Sequence, residues 1–78
     1  MITLPVLASV TAMTRDEGEF MRMIDWCYGV AKVSSWVAAG CEDGIHVIRL
    51  TLPEDDVRLD RFAGQIEGRL GWSVERWP

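Results

Sequence analysis

The spacing of hydrophobic side chains alternates between a period of two and a helical period, which limits the folds that this chain can adopt. Over residues 4–12 apolar side chains recur at every second position, which is typical of a strand with one apolar face. Two later stretches place apolar residues at i, i+3, i+4 and i+7, and such residues share one stripe of a helix. The stripes are Phe20, Met23, Ile24 and Cys27, and then Leu59, Phe62, Ala63, Ile66 and Leu70. Strands and helices therefore alternate along the chain.

A hairpin is expected between the two helices. Residues 33–39 and 45–52 are rich in apolar and β-branched side chains, and we interpret both segments as strands. The turn between them spans residues 40–44, and its Asp43-Gly44 pair favours the positive φ angles of a tight hairpin. Because the connection is short, the two strands should be antiparallel neighbours.

The helix ends carry their own signals. Thr14 or Asp16 is expected to cap the first helix, and Gly29 is its expected end. The acidic residues 54–56 offer acceptors and negative charge for the start of the second helix, which is expected to end at Gly71.

The last segment, residues 72–77, is interpreted as a strand with Trp72 and Val74 on one face. The resulting β-α-β-β-α-β order predicts an α+β fold, a ferredoxin-like sandwich with a four-stranded antiparallel sheet and two helices on one face. Residues 1–78 are expected to form a single domain.

The other face of such a sheet has no helix to cover it. Strand 45–52 carries apolar side chains on both of its faces, and Trp36, Trp72 and Trp77 add large apolar groups to strands. This excess suggests oligomerisation, with edge strands pairing across a homodimer and the apolar face serving a partner. The alternative is that these side chains complete the core of a monomer.

The charge balance weighs against some classes of partner. Lys and Arg number 8 and Asp and Glu number 12, so the net charge is −4. An acidic chain lacks the positive surface that nucleic acids require, and no apolar run reaches the length of a membrane span. The first residues lack the basic start of a signal peptide, so we expect a cytoplasmic protein with no nucleic-acid or membrane partner.

Few residues have the context that catalysis or metal binding requires. His46 is the single histidine, and the spacing of Cys27 and Cys41 fits neither a Cys-x-x-Cys pair nor a zinc knuckle. The serines have no nucleophile-elbow context, and the carboxylates at residues 54–56 are sequential rather than facing. We therefore expect no enzyme activity, no metal ligand and no cofactor, and interpret the cysteines as small reduced apolar side chains.

A first segment, residues 15–22, resembles a loop sequence that is characteristic of a known protein family. It follows the pattern Asn-x-x-Gly-x-Leu-x-Arg at Gly18 and Arg22, and Phe20 takes the place of the leucine. Such a loop leads from an alternating strand into a helix, which is its predicted position here.

A second segment, residues 29–34, follows the pattern Gly-aromatic-Asn-Ile-x-Ser at Gly29 and Ser34. With the order of elements, these segments resemble the ACT domain family, and within it the regulatory small subunits of acetolactate synthase, over about residues 4–77. Arg15 and Ala31 stand where that family carries its ligand-binding asparagines.

The resemblance implies a non-catalytic regulatory subunit in branched-chain amino-acid biosynthesis, which forms a homodimer and binds the catalytic large subunit. It also implies an amino-acid effector at the dimer interface. The implied effector residues are Arg15, Asp16, Glu17, Gly18, Glu19, Phe20, Val30 and Ala31.

The residues of this loop have mixed effects on an effector. The helix N-terminus, the open approach at Gly18 and the Arg15 guanidinium favour a carboxylate, whereas Asp16, Glu17 and Glu19 repel one. Gly18 could also be a turn residue without a ligand. Two alternatives stay open, namely a free-standing amino-acid sensor and a ferredoxin-like protein-interaction module without ligand.

Overall fold

The computed structural model describes residues 6–77, which form an α+β unit with a four-stranded antiparallel sheet and two α-helices. The strands and helices are β1 (Leu7–Thr14), α1 (Glu17–Asp25), β2 (Val37–Glu42), β3 (Ile45–Pro53), α2 (Val57–Glu67) and β4 (Trp72–Trp77). The strand order is β2-β3-β1-β4, so β1 lies inside the sheet and pairs antiparallel with both β3 and β4. This arrangement is compatible with a ferredoxin-like fold.

One face of the sheet packs against the helices. Directly paired residues of antiparallel strands lie on the same face, so Ala12, Ile48 and Val74 point together toward the helices. The buried apolar residues that form the core are Val10, Ala12, Met23, Cys27, Val33, Ile48, Leu50, Leu52, Leu59, Phe62, Ala63 and Ile66. Because both helical stripes contribute to this one core, α1 and α2 cover the same face.

The plain β-α-β-β-α-β order is interrupted between α1 and β2. A π-helical segment, Trp26–Val30, continues α1 past Gly29, where the helix was expected to end, and a 3-10 turn follows at Ser34–Trp36. The Ala31 N–H donates to the Trp26 carbonyl at 2.9 Å, which is the i→i+5 bond of a π-helix.

The prediction of a strand over residues 33–39 is therefore wrong in its first half. Val33 is fully buried, and its N–H donates back to the Cys27 carbonyl at 2.9 Å. The Trp36 N–H in turn donates to the Val33 carbonyl at 2.8 Å, so Trp36 lies on a helical turn and not on a strand. These local bonds replace a sheet ladder until Val37, where β2 begins.

The hairpin turn is confirmed but is shorter than residues 40–44. Its two central residues are Asp43 and Gly44, with φ angles of 53° and 77°, and Glu42 pairs directly with Ile45. Positive φ at both central positions is the type I′ geometry that matches the twist of a hairpin. Gly40, which was assigned to the turn, lies inside β2.

The first strand runs to Thr14, two residues beyond its expected end, because its last residues pair with both neighbours. Met13 pairs with Val47 and Ser73, and Thr14 continues the ladder on either side. The expected start at Leu4 lies outside the described residues.

The second helix ends earlier than expected. Its cap is Gly68 rather than Gly71, and Leu70 is 95% exposed instead of completing the buried stripe. Gly68 weakens the helix, and the Arg69 side chain donates to the Gln65 carbonyl at 2.9 Å across the end. Gly71 instead supplies a positive φ of 85° for the turn into β4.

Both helices begin at an aspartate. Asp16 caps α1, and Asp56 caps α2 by accepting the Arg58 N–H at 2.9 Å. Within residues 6–77, no helix combines the length and the apolar content needed to cross a membrane.

The turn predicts a difference between two glycine substitutions. Gly44→Ala should lower the free energy of unfolding by about 1 kcal/mol, because an L side chain is disfavoured at positive φ. Gly40→Ala is the matched control, since a Cβ there meets no atom within 4 Å and β2 is extended. Urea denaturation measures both, and an equal loss at Gly40 would contradict the turn assignment.

The α2 cap predicts an acid-dependent contribution to stability. Hydrogen bonds from the Arg58 side chain and N–H hold the pKa of Asp56 at about 2, below its ordinary value. The contribution of Asp56 is thus complete near neutral pH and is lost as the pH falls toward 2. Asp56→Asn keeps an acceptor at the cap, so its deficit against wild type should shrink with acidification. Asp55→Asn, at an exposed position, should show no such trend in thermal denaturation across the acid range.

Candidate functional site

The segment before α1 uses its hydrogen-bonding groups within itself. The Asp16 carboxylate accepts the Glu19 N–H at 3.0 Å, and the Asp16 N–H donates to Thr14 Oγ1 at 3.1 Å. The Phe20 N–H donates to the Asp16 carbonyl at 3.0 Å. An effector carboxylate at this helix end would therefore have to replace the carboxylate of Asp16.

Glu19 joins two parts of the structure. Its carboxylate lies 3.1 Å from Nη1 of Arg22, one turn along α1, and 3.0 Å from Nη1 of Arg69, just after α2. Its side chain is largely buried, whereas Glu17 is exposed. Glu19 thus acts as a link between α1 and the end of α2, which is a structural use of a residue expected to contact ligand.

Phe20 covers a polar part of the sheet. Its ring stacks on His46 with centroids 4.7 Å apart. Thr14 pairs with His46 on one side and with Trp72 on the other, so the three lie in a row on the helix-facing side. His46 Nδ1 and Trp72 Nε1 are buried and have no partner among the described residues. The row therefore holds two polar atoms whose desolvation is uncompensated by a protein group.

Arg15 borders a groove at the end of the sheet. The groove has a volume of about 360 Å³ and is lined by Met13, Thr14, Arg15, Ile45, Gly71 and Ser73. A Cβ built on Gly44 would lie 3.9 Å from Nη1 of Arg15, so the guanidinium lies beside the hairpin turn. Arg15 is exposed there and available to an anion.

Gly18 has no positive φ, but space around it is limited. A Cβ at Gly18 would lie 3.3 Å from Oδ1 of Asp16, the atom that caps the helix. A side chain here would therefore crowd the cap.

The predicted effector residues are brought together only in part. Residues 15–20 are contiguous at the start of α1, but Val30 and Ala31 lie at the far end of the same helix and its π-helical extension. At 1.5 Å per residue this separation is about 20 Å. Val30 is 72% exposed, and Ala31 packs against the core. One protomer therefore does not unite the two groups.

The sheet face without helices, which the sequence suggested as an apolar partner surface, carries hydroxyl and charged side chains in its middle. We call the sheet face opposite the helices the open face. It carries Leu7, Ser9, Thr11 and Met13 of β1, Ala38, Gly40 and Glu42 of β2, Ile45, Val47, Arg49 and Thr51 of β3, and Ser73, Glu75 and Trp77 of β4. A groove of about 570 Å³ on this surface is lined by Ser9, Thr11, Arg49, Glu75, Arg76 and Trp77.

Hydroxyl groups organise the middle of the open face. The Arg49 Nε–H donates to Thr11 Oγ1 at 3.1 Å, and the hydroxyls of Ser9 and Thr51 lie 3.1 Å apart. Thr11 pairs with Arg49 on one side and with Glu75 on the other. Arg49 and Glu75 lie in one row only because of the register of β1 with β3 and β4. No local pattern in the sequence encodes that register.

The cysteines differ in environment. Burial raises the pKa of the Cys27 thiol to about 11, so it is protonated at neutral pH. Cys41 is exposed on β2. Among residues 6–77, no group of three or more His, Cys, Asp or Glu side chains is placed to hold a metal ion.

Comparison of the chain with protein-family models, with curated proteins and with solved structures yields no match.

The α1 cap predicts a difference between two substitutions at Asp16. Asp16→Ala removes the acceptor for the Glu19 N–H and should lower the free energy of unfolding by about 1 kcal/mol. Asp16→Asn keeps an acceptor and should lose only a fraction of that amount. Chemical denaturation followed by circular dichroism measures both. Equal losses would indicate that charge rather than capping stabilises this helix start.

Proposed function

We propose that this chain is a non-catalytic regulatory module, an ACT-type ferredoxin-like sandwich that acts by binding a larger enzyme subunit. The observation that carries the proposal is the exposure of large apolar side chains on the segment between α1 and β2. Tyr28, Val30 and Trp36 are all exposed there, within nine residues of chain.

This segment has the character of a protein-binding site. Tyr and Trp are among the residues most enriched in the energetic centres of interfaces, and exposed apolar patches mark such sites. The backbone here is irregular, with the π-helical segment and a positive φ of 54° at Lys32. Irregular helical geometry of this kind often occurs at functional positions, which supports the same interpretation.

The partner proposed first is the catalytic large subunit of acetolactate synthase, acting in the cytoplasm. This identity comes from the resemblance at residues 15–22 and 29–34. The second of these segments includes the exposed Val30, so the apolar segment and the family-like segment overlap.

An amino-acid effector is a second candidate property, and the groove beside Arg15 favours it. The guanidinium is exposed, and the groove offers apolar contacts from Met13 and Ile45 to an effector side chain. The donors at the start of α1 contribute less, because Asp16 already occupies one of them. Amino-acid binding would therefore centre on Arg15 rather than on the helix end.

The proposal is tested by binding of the purified chain to the acetolactate synthase large subunit of the same organism. Wild type should form a complex in sedimentation velocity, and Trp36→Ser should weaken it by about tenfold or more, because a buried indole at an interface contributes strongly. Leu70→Ser is the matched control. Leu70 is also apolar and is 95% exposed, but it lies between α2 and β4, outside the proposed binding segment.

Repeating the measurement with branched-chain amino acids separates the alternatives. A shift in complex affinity would support a regulatory subunit that responds to an effector. Binding without such a shift would favour an interaction module without ligand. Stabilisation of the isolated chain by an amino acid, with no complex, would favour a free-standing sensor. No complex and no stabilisation would overturn the proposal.

A further inference from the structure

We propose that the open face is an isologous interface with a second copy of this chain, related by a two-fold axis parallel to β1. The inference does not rest on the proposed binding segment between α1 and β2, although Met13, Ile45 and Ser73 of the open face also line the groove beside Arg15. It follows from the placement of charges on the open face, because that placement is self-complementary under one symmetry operation.

Opposite charges stand at matched positions on either side of β1. Arg49 on β3 and Glu75 on β4 are both direct cross-strand neighbours of Thr11. Since neighbouring strands are about 4.8 Å apart, the two residues lie about equally far from β1 in opposite directions. Neither residue forms an ion pair within residues 6–77, and Arg49 makes its bond to Thr11 through Nε only. The Nη groups of Arg49 and the carboxylate of Glu75 are thus available to another molecule.

The positions of Arg49 and Glu75 favour one orientation of the two-fold axis over another. A two-fold axis that runs along β1 between two facing sheets exchanges the β3 side of one copy with the β4 side of the other. Arg49 of each copy then lies over Glu75 of its partner, which gives two ion pairs. An axis in the same plane but perpendicular to the strands would place Arg49 over Arg49, which is repulsive.

The sizes of the facing side chains also fit a two-fold axis along β1. Ser9 pairs with Thr51 on β3 and with Trp77 on β4, so the axis along β1 places each Trp77 over the Thr51 of the other copy. Trp77 is 76% exposed in the isolated chain, and Thr51 is a small residue that leaves space above it for an indole. Small hydroxyl side chains occupy the axis itself at Ser9 and Thr11, where each copy meets its own equivalent.

The apolar end of the face adds contact area. Met13 lies on the axis, and its neighbour Val47 on β3 lies on the same face. Face-to-face sheets pack about 10 Å apart with interleaved side chains, which is within reach of Met, Arg and Trp. The part of the open face formed by β3, β1 and β4 thus offers an apolar end, a charged middle row and an aromatic group at the other end, all compatible with one axis.

The experiment mixes two charge-reversed variants. Arg49→Glu gives a chain with two negative residues in the row, and Glu75→Arg gives one with two positive residues. Each variant alone should dimerise at least about tenfold more weakly than wild type in sedimentation equilibrium, because like charges then face each other. An equimolar mixture should restore wild-type affinity as a heterodimer, since both cross-interface pairs become Glu opposite Arg.

The controls carry the same charge changes on the helical side. Arg61→Glu and Glu67→Arg are exposed positions on α2 and should leave dimerisation unchanged, alone or mixed. Circular dichroism establishes that each variant is folded. Trp77→Ala changes no charge and should also weaken the dimer by about tenfold or more, so it decides the matter if a charge reversal prevents folding.

Three results would overturn the proposal. The first is a wild-type chain that stays monomeric at all concentrations. The second is a dimer that none of the open-face variants weakens, as expected for pairing through the β2 edge. The third is a pair of charge variants that fail to form a heterodimer on mixing, which would mean that Arg49 and Glu75 do not meet across copies.

Discussion

The pairing of β1 with a strand on each side is the constraint on which the rest of the structure depends. Because β1 lies inside the sheet, its side chains alternate between the helix-covered core and the open face with no exposed backbone edge. Val10 and Ala12 on one face are buried under the helices, while Ser9 and Thr11 between them accept or share hydrogen bonds on the other. A shift of one residue in this register would exchange the two sets and remove both the core and the polar row.

The covering of only one face divides the molecule into surfaces with different chemistry. The ion pairs among the described residues lie on the helical side, including those of Glu19 with Arg22 and Arg69. The open face keeps Arg49 and Glu75 apart on opposite sides of β1, and the α1–β2 segment exposes aromatic rings. The two surfaces proposed for association thus differ in chemistry, since one is charged and the other is apolar and irregular.

Sequence patterns predicted the parts of the fold that depend on local chemistry. The helical stripe through Phe62 and Ile66, the acidic start of α2 within residues 54–56 and the positive φ of Asp43-Gly44 each follow from residues a few positions apart, and each is confirmed. Residues 33–36 were assigned wrongly because Val33 and Trp36 suit a strand and the segment carries no strong helix signal. Val33 excludes a strand here, because it is buried and its N–H donates to the Cys27 carbonyl. Both features depend on where α1 ends.

The candidate site was less predictable for the same reason. Residues 15–20 are contiguous and were placed correctly at a helix start, but their hydrogen bonds are used mainly to build that start. Arg49 and Glu75 are 26 positions apart in the sequence, and only their shared neighbour Thr11 relates them. Periodicity along the sequence relates residues of one element. It cannot show that residues on two different strands are neighbours of the same third strand.

The β1–β4 ladder also joins the two ends of the described chain. Ser9 pairs with Trp77, so the loop that closes this ladder contains nearly the whole described chain, and closing a loop of this length costs conformational entropy and slows folding. The hairpin of β2 and β3 and both helices can form before β4 docks. Until β4 pairs with β1, the open face lacks Glu75 and Trp77, and one backbone edge of β1 is unpaired. An incomplete chain therefore lacks half of the charge pairing proposed for the open face and carries an unpaired strand edge with which another chain can pair.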